Sequence, residues 1–222
     1  LALLKFFTVL TSLGAKERLA LSFRHMKDDP QNHIRVIPPL LRREVTLHEP
    51  YSGDYIHGYM VNAGFSENVM KWHRQHPRIP LRFFWDKWEE EPVKRVDNTL
   101  SFYQLDDVEF LRQMAGCKAY ASTAGFESVC EAMYLGKPIL MVPAHIEQDC
   151  NAYDAEKSGA GIISSDFNLQ QLLEFAKDYH PNRDFVYWVR GAEYTLLNLL
   201  ESDSSNYQQV LFNEMYLVEE FI

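Results

Sequence analysis

The chain is poor in cysteine. Its 222 residues include three, Cys117, Cys130 and Cys150, an odd number with no CxxC pair. That spacing suits neither a disulfide framework nor a zinc site. Each is expected as a small buried apolar side chain, in keeping with a reducing cytosol. Positive charge is also scarce: 22 Lys and Arg stand against 31 Asp and Glu, a net charge of −9. The deficit argues against nonspecific nucleic-acid binding, which needs a basic surface. An anionic small ligand stays open, because backbone amides can supply a local positive potential. The apolar opening L-A-L-L-K-F-F-T-V-L has no initiator Met, basic n-region or A-x-A-like cleavage site, and is too short to span a bilayer. It reads as a helix continuing from a preceding domain. Internal repeats, low-complexity tracts, a Ser-His-Asp order and a DxD-type metal motif are missing too.

What is present is enough apolar residue for a core. The apolar fraction is 46%, with 14% aromatics, normal for a globular interior. The length suits one large domain. Leu3, Phe6, Phe7, Leu10 and Leu13 recur at helical spacing, and Gly14 breaks the pattern. A second short helical piece is expected before about His25. Pro38-Pro39 stiffens an extended stretch, so Ile34 to about Ser52 is expected as an interdomain linker, with Arg42 and Arg43 as a solvated basic pair. From Asp54 a regular alternation begins. Strands are expected over 55–61, 79–85, 99–104, 118–122, 138–143 and 161–164. Helices are expected over 66–76, 106–116, 125–136, 151–158, 168–178 and 184–200, with a last amphipathic helix over 207–222. Ser66 is the expected N-cap of the first of these helices. Asp106-Asp107 open the second, where acidic residues suit the positive dipole end. A charged loop, 86–97, and a polar turn, Glu147-Gln148-Asp149, complete the pattern. The alternation predicts an α/β fold with a Rossmann-like, doubly wound parallel sheet.

Three loops at strand C-termini should meet in one crevice: 62–66, 103–107 and 122–127. Gly64 and Gly125 would let backbone N–H groups approach a ligand closely. Gly125 also opens a helix, whose first amides are unpaired donors at the positive end of its dipole, a phosphate-binding arrangement. Within that helix Val129, Ala132, Met133 and Gly136 form the buried stripe, and Glu127, Ser128 and Glu131 lie on the other side. Ser128, in the first turn, could donate to a phosphate, and Glu131, one turn on, could accept both hydroxyls of a ribose. A solvated acidic face is the ordinary alternative for Glu127 and Glu131. His73 and His76 are read as a solvent face at a helix end, His57 as a satisfied core residue, and Trp85 and Trp88 as packing on a surface loop. His145 is read either as a loop-packing residue or as a substrate contact.

The run G-F-E-S-V-C-E-A-M-Y-L-G-K-P followed by P-A-H-I-E-Q-D-C-N-A resembles the nucleotide-sugar signature of GT-B glycosyltransferases. It is similar to plant UDP-sugar transferases, whose signature runs H-C-G-W-N-S-x-x-E, G-x-P, P-x-x-x-[DE]-Q, and to bacterial lipid-intermediate glucosaminyltransferases. It looks most like microbial proteins carrying A-G-F-E-S-x-x-E-A-x-x-L-G-K-P. Gly125, Ser128, Glu131, Gly136, Pro138, Pro143, Glu147 and Gln148 match at the same spacing. The resemblance covers about thirty residues strongly. It implies that Ser128, with the Gly125 and Phe126 amides, holds a diphosphate beside Thr123 and Ala124. Glu131 would bind ribose, Glu147 and Gln148 the donor sugar, Gln104 and Leu105 the base, and Gly64 and Phe65 a second phosphate-facing loop. Thr123 replaces the plant histidine and Glu127 the plant asparagine. A carboxylate at Glu127 is unfavourable beside a diphosphate unless it points away or pairs with a cation.

The same resemblance implies a GT-B C-terminal domain flanked by helices from a mostly absent N-terminal domain. Residues 1–33 would be a helical remnant of that acceptor domain, 34–52 the linker, 53–200 the donor-binding domain, and 201–222 a helix returning to the N-terminal domain. The expected function is the donor half of a glycosyltransferase acting on a nucleotide sugar, with UDP as the default nucleotide and hexosyl or N-acetylhexosaminyl transfer. The acceptor would be a saccharide, lipid or small molecule. The catalytic base is expected on the absent domain, so that these residues alone would transfer poorly. No metal and no cofactor besides the donor substrate are expected, and no nucleic-acid partner. The expected location is cytoplasmic, with peripheral membrane association through the missing domain left open. A nucleotide-sugar epimerase and a non-catalytic nucleotide-sugar-binding protein are the alternatives.

Overall fold

The computed structural model describes residues 2–87 and 91–201. The strands are β1 (Arg18–Leu21), β2 (Ile34–Ile37), β3 (Ile56–Met60), β4 (Leu81–Trp85), β5 (Val93–Arg95), β6 (Leu100–Gln104), β7 (Ala119–Ser122), β8 (Ile139–Met141) and β9 (Gly161–Ile163). The helices are α1 (Ala2–Thr11), α2 (Arg43–Thr46), α3 (Ser66–Gln75), α4 (Asp107–Gly116), α5 (Phe126–Tyr134), α6 (Ile146–Lys157), α7 (Leu169–Phe175) and α8 (Arg183–Arg190). The main sheet runs in the order β5-β6-β4-β3-β7-β8-β9. Every pairing in it is parallel except β5 against β6. The doubly wound parallel sheet expected from the alternation is therefore present. Its six parallel strands follow the order 3-2-1-4-5-6 of a dinucleotide-binding fold.

The central strands are covered on both faces, as parallel sheets require. All four residues of β7 and all three of β8 are buried. Adjacent residues point to opposite faces. Phe83 joins a core layer with Ile56, Met60, Phe102 and Phe167, while Phe84 joins the other layer with Phe110, Tyr120, Val129 and Met133. No helix among the described residues is long and apolar enough to cross a membrane.

Several elements depart from expectation. The short helical piece foreseen after Gly14 is instead β1, which pairs in parallel with β2 inside the stretch read as linker. Four residues are too few for periodicity to separate strand from helix. The charged loop contains β5, an exposed edge strand whose ladder comes from β6. Ser66 is the first helical residue rather than the cap. Asn62 Oδ1 accepts the Gly64 N–H at 2.8 Å and opens a 3-10 turn that runs into α3. Helix α6 starts at Ile146, so Glu147 and Asp149 sit in its first turn, where the dipole favours them. The expected 184–200 helix is broken by a turn at Gly191, with helical backbone again over 192–201. The amphipathic stretch 207–222 lies outside the described residues, as does Trp88.

Residues 38–53 are bound tightly to the domain. Val45 is fully buried in the α5 layer. The buried Lys137 ammonium donates to the Tyr51 carbonyl at 2.7 Å and the Cys117 carbonyl at 2.9 Å. Burial pushes that lysine's pKa down, and the two carbonyls supply the acceptors that a buried ammonium needs.

Three further side chains depart from their sequence reading. Cys150 is exposed, whereas Cys117 and Cys130 are buried as expected. Trp85 is a core residue stacked on Phe102 with ring centroids 4.5 Å apart. His57 lies in the core as expected, but its imidazole is enclosed by Phe84, Phe110 and Tyr120. Neither of its ring nitrogens has a hydrogen-bond partner among the described residues.

Two predictions follow from this packing. Burial, reinforced by Arg82, lowers the His57 pKa to about 3. The unfolded imidazole titrates near ~6.5, so the unfolded chain takes up the proton first as pH falls. His57 therefore leaves stability intact above ~6.5 and removes about 1.4 kcal/mol per pH unit on the way towards 3. Urea denaturation should show His57→Leu losing about 2 kcal/mol less than wild type between pH 7 and pH 5. Equal losses would contradict the account. The second prediction concerns the end of α5. There the Gly136 N–H bonds to Met133 O and the Lys137 N–H to Ala132 O, a closure that needs a left-handed residue. Gly136 has φ +67°, and an added Cβ would lie 3.2 Å from Pro181. Gly136→Ala should cost about 1–2 kcal/mol in the same assay.

Candidate functional site

In an open α/β sheet the chain leaves neighbouring strands in opposite directions at one point, and a crevice forms beyond their C-terminal ends. Here that point lies between β3 and β7, where Tyr59 pairs with Ser122. The two strand ends are stitched together. The Thr123 N–H donates to Tyr59 O at 3.3 Å, and the Val61 N–H donates to Thr123 Oγ1 at 3.3 Å. Thr123 and Ala124 are both fully buried, so the Thr123 hydroxyl is committed to the scaffold.

The turn into α5 takes its unusual backbone at Ala124, with φ +62°. This conformation is uncommon for a residue with a Cβ. It is held by Ser122 Oγ, which accepts the Ala124 N–H at 3.0 Å, and by Asn151 Nδ2, which donates to Ala124 O at 3.3 Å. Gly125 has φ −62° and ψ 135°, a conformation open to any residue. The left-handed residue of this turn is therefore Ala124 and not the glycine. What the glycine leaves is space, since an added Cβ would meet only Ser128 Oγ, at 3.7 Å. No side chain caps α5. Its first amides are unpaired donors, as at any helix N-terminus.

A cavity of about 330 Å³ lies against this helix start. Leu105, Ser128 and Glu131, three residues singled out by sequence, line it together with Glu127. Tyr59, Phe110, Asp107 and Arg42 complete it; of these only Asp107 lies in a loop that sequence reasoning placed at the crevice, and none was given a ligand role. Ser128 Oγ donates to the Gly125 carbonyl at 3.2 Å.

Glu131 is only 2% exposed, so the solvated acidic face does not exist at this position. Glu127 alone keeps that exposure. Arg42 is correspondingly no solvated linker residue. Its Nε and one terminal nitrogen fork onto Glu131 at 2.6 and 2.8 Å, and its other terminal nitrogen reaches Asp107 Oδ1 at 3.0 Å. The hydrogen bonds and charge of Glu131 raise the Arg42 pKa. Burial pushes the Glu131 carboxyl up, against the opposing pull of Arg42. Asp107 and Glu127 also face the guanidinium electrostatically. A cation therefore stands beside Glu127, the condition under which a carboxylate there is tolerable. The separation of 89 positions between Arg42 and Glu131 puts this pair beyond any local spacing rule, and the only sequence signal was the arginine pair itself.

The other expected residues do not line this cavity. Gln104 ends β6, with its side-chain amide 3.5 Å from the Lys87 carbonyl. Gly64 borders a separate cavity of about 540 Å³ along α3 with Glu67, Asn68 and Lys71. Phe65 packs edge-on against Phe167 at 5.6 Å, which turns its ring towards the core. Phe126 packs on Phe23 at 4.7 Å and ties the helix start to the N-terminal segment. Glu147 accepts from Asn151 Nδ2 at 2.8 Å and is exposed, with His145 3.8 Å away. Gln148 is buried, and its Oε1 accepts the Ala144 N–H at 2.9 Å. His73 and His76 do not share a solvent face. His73 is buried and bonded to Asp97 at 2.8 Å, while His76 stacks on Trp72 at 4.0 Å.

Comparison with known proteins agrees with the fold. The solved glycosyltransferase of kitacinnamycin superposes with a TM-score of 0.56 at 14% identity, covering 78% of this chain and 50% of that one. CalG4, the calicheamicin glycosyltransferase, gives 0.54 at 14% identity, covering 77% and 48%. At that identity the likeness shows the fold. The Caenorhabditis elegans protein named as a UDP-glucuronosyltransferase, ugt-48, is 26% identical over 105 residues, which are 46% of this chain and 20% of that protein. The chain thus spans about half the length of the solved glycosyltransferases and a fifth of the nematode protein. A family model described as glycosyl transferase family 1 matches residues 13–179, about three quarters of the sequence. With that match and the doubly wound GT-B-type sheet, the chain belongs to glycosyl transferase family 1.

Proposed function

We propose that this chain is the donor-binding part of a glycosyltransferase that takes a UDP-sugar. The observation that carries the reading is the open start of α5 at the sheet's switch point. There Ser128 and Glu131, one turn apart, line one cavity. Its volume of about 330 Å³ lies within the ~300–1,000 Å³ range of small-ligand sites.

In this reading the amides of Phe126 to Ser128 and the Ser128 hydroxyl hold the diphosphate. The ribose diol takes Glu131, the base lies along Leu105 beside Gln104, and the sugar reaches towards Glu147 and the Gln148 end of α6. Residues 53–200 form the donor domain, 1–33 and 201–222 belong with an acceptor domain, and 34–52 join the two. An acceptor hydroxyl on a saccharide, lipid or small molecule attacks the anomeric carbon, and the bond to the diphosphate oxygen breaks. A base contributed by the acceptor side removes the hydroxyl proton. Negative charge grows on the departing UDP oxygens, where the α5 amides are already aimed, so the stabilisation is greatest as the bond breaks. UDP is favoured over other nucleotides by the name of the nematode relative. Transfer of a hexosyl or N-acetylhexosaminyl group is the corresponding activity of the whole enzyme.

Calorimetry and thermal shift test this directly. UDP at about 100 times its Kd should stabilise the chain by about 2.7 kcal/mol. Gly125→Val, whose side chain would fill the phosphate approach, should weaken UDP binding at least about tenfold, the loss of one charge-assisted contact, while the melting temperature without ligand stays unchanged. If no nucleoside diphosphate or nucleotide sugar stabilises the wild type, the reading is wrong.

A further inference from the structure

Glu131 can bind a ribose only if the ribose can reach it, and in this structure it cannot. Both carboxylate oxygens are taken by the Arg42 fork, at 2.6 and 2.8 Å, and the residue is 2% exposed. The guanidinium stands where an incoming diol would have to stand. A bidentate arginine–carboxylate pair is also planar and directional, so it takes one lone-pair site on each oxygen, the two that a cis-diol gripped by both oxygens would share.

The surroundings provide for release of that pair. The third donor of Arg42 already reaches Asp107 Oδ1 at 3.0 Å, and the Asp107 side chain is 89% exposed. A guanidinium that leaves Glu131 therefore keeps a counter-ion nearer solvent. The Arg42 side chain is itself 35% exposed, so it has room to turn. Its backbone does not share that freedom. Val45 is fully buried three residues on, and Tyr51 is held through its carbonyl by Lys137. The movement is confined to the side chain. The charges agree: Asp107, Glu127 and Glu131 line the cavity, and Arg42 is the basic side chain among the lining residues. The guanidinium therefore stays within a set of carboxylates when it moves from Glu131 to Asp107.

We infer that Arg42 is an internal competitor for the ribose position, and that a nucleotide binds by displacing its guanidinium from Glu131 towards Asp107. The inference rests on the donor-binding reading above. It assigns a role to a residue outside the signature, on the segment that joins the sheet to the N-terminal elements. It also makes donor affinity depend on the strength of an ion pair that the ligand itself must break.

The test compares UDP with 2′,3′-dideoxyuridine diphosphate, which has no diol for Glu131, by calorimetry on wild type and Arg42→Ala. Arg42→Ala should bind UDP about fivefold more tightly, the worth of a partly exposed ion pair no longer broken. Its affinity for the dideoxy compound should change by less than about twofold. Removing Arg42 leaves a buried carboxylate without its partner, so Arg42→Gln is made in parallel. It keeps part of the bulk and an uncharged amide NH2 donor, and should shift UDP in the same direction by a smaller factor. Circular dichroism and melting temperature establish that each variant is folded. Unchanged or weaker UDP binding by the folded variants would overturn the inference. So would an equal shift for the ribo and dideoxy compounds. If wild type and variants bind neither compound, the donor-binding reading itself fails and this inference goes with it, an outcome recognised from the wild-type titration alone.

Discussion

The parallel register of β3 against β7 is the constraint on which the rest depends. Once Tyr59 lies opposite Ser122, the chain must depart in opposite directions from two adjacent strand ends, and the space between them cannot be filled by either connection. The Thr123 hydroxyl, spent on the Val61 amide, locks that register at its open end. Ala124 then turns the backbone through a left-handed conformation, and α5 starts facing the gap. The strain at Ala124 and the burial of Thr123 are both consequences of delivering a helix start to that place.

Burial also sets the electrostatics of the site. Glu131 sits one turn into α5, under the segment that contains Arg42, and is shielded from water. An unpaired carboxylate there would be costly, and the guanidinium fork offsets the cost. The same burial makes Glu131 a strong acceptor for anything that replaces Arg42, because each interaction is screened less than it would be in water. A chain of this architecture can serve many donors and acceptors. The sheet fixes where the ligand goes, while the side chains around the crevice fix which ligand it is.

Much of the sheet was legible in the sequence because its strands are buried on both faces. The run at 138–143 is apolar throughout, and Ala119 to Ala121 form the apolar centre of 118–122, as strands covered on both faces require. Asp106 was readable as a helix start and does cap α4, accepting the Glu109 N–H at 2.8 Å. The edge elements were not readable. β1 has four residues, β5 has three, and each owes its conformation to a partner strand rather than to its own pattern. The site divides in the same way. Ser128 and Glu131 follow from spacing along one helix, and Leu105 from its place after a strand. Arg42 is 89 residues from Glu131, and that pairing is a property of the folded chain alone. Phe65, placed in sequence beside a glycine turn, has its ring packed on Phe167, a contact 102 positions away that no local pattern announces.

The central claim is that a nucleoside diphosphate binds at the junction of β7 and α5. Backbone amide chemical shifts, followed by NMR while UDP is titrated into the chain, test it most directly. The account predicts that the largest shifts fall on Gly125, Phe126, Glu127 and Ser128, with a second group at Leu105 and Asp107, and that the far ends of α3 and α7 stay unmoved. Saturable binding with its largest shifts elsewhere, along the cavity beside α3 for instance, would contradict it.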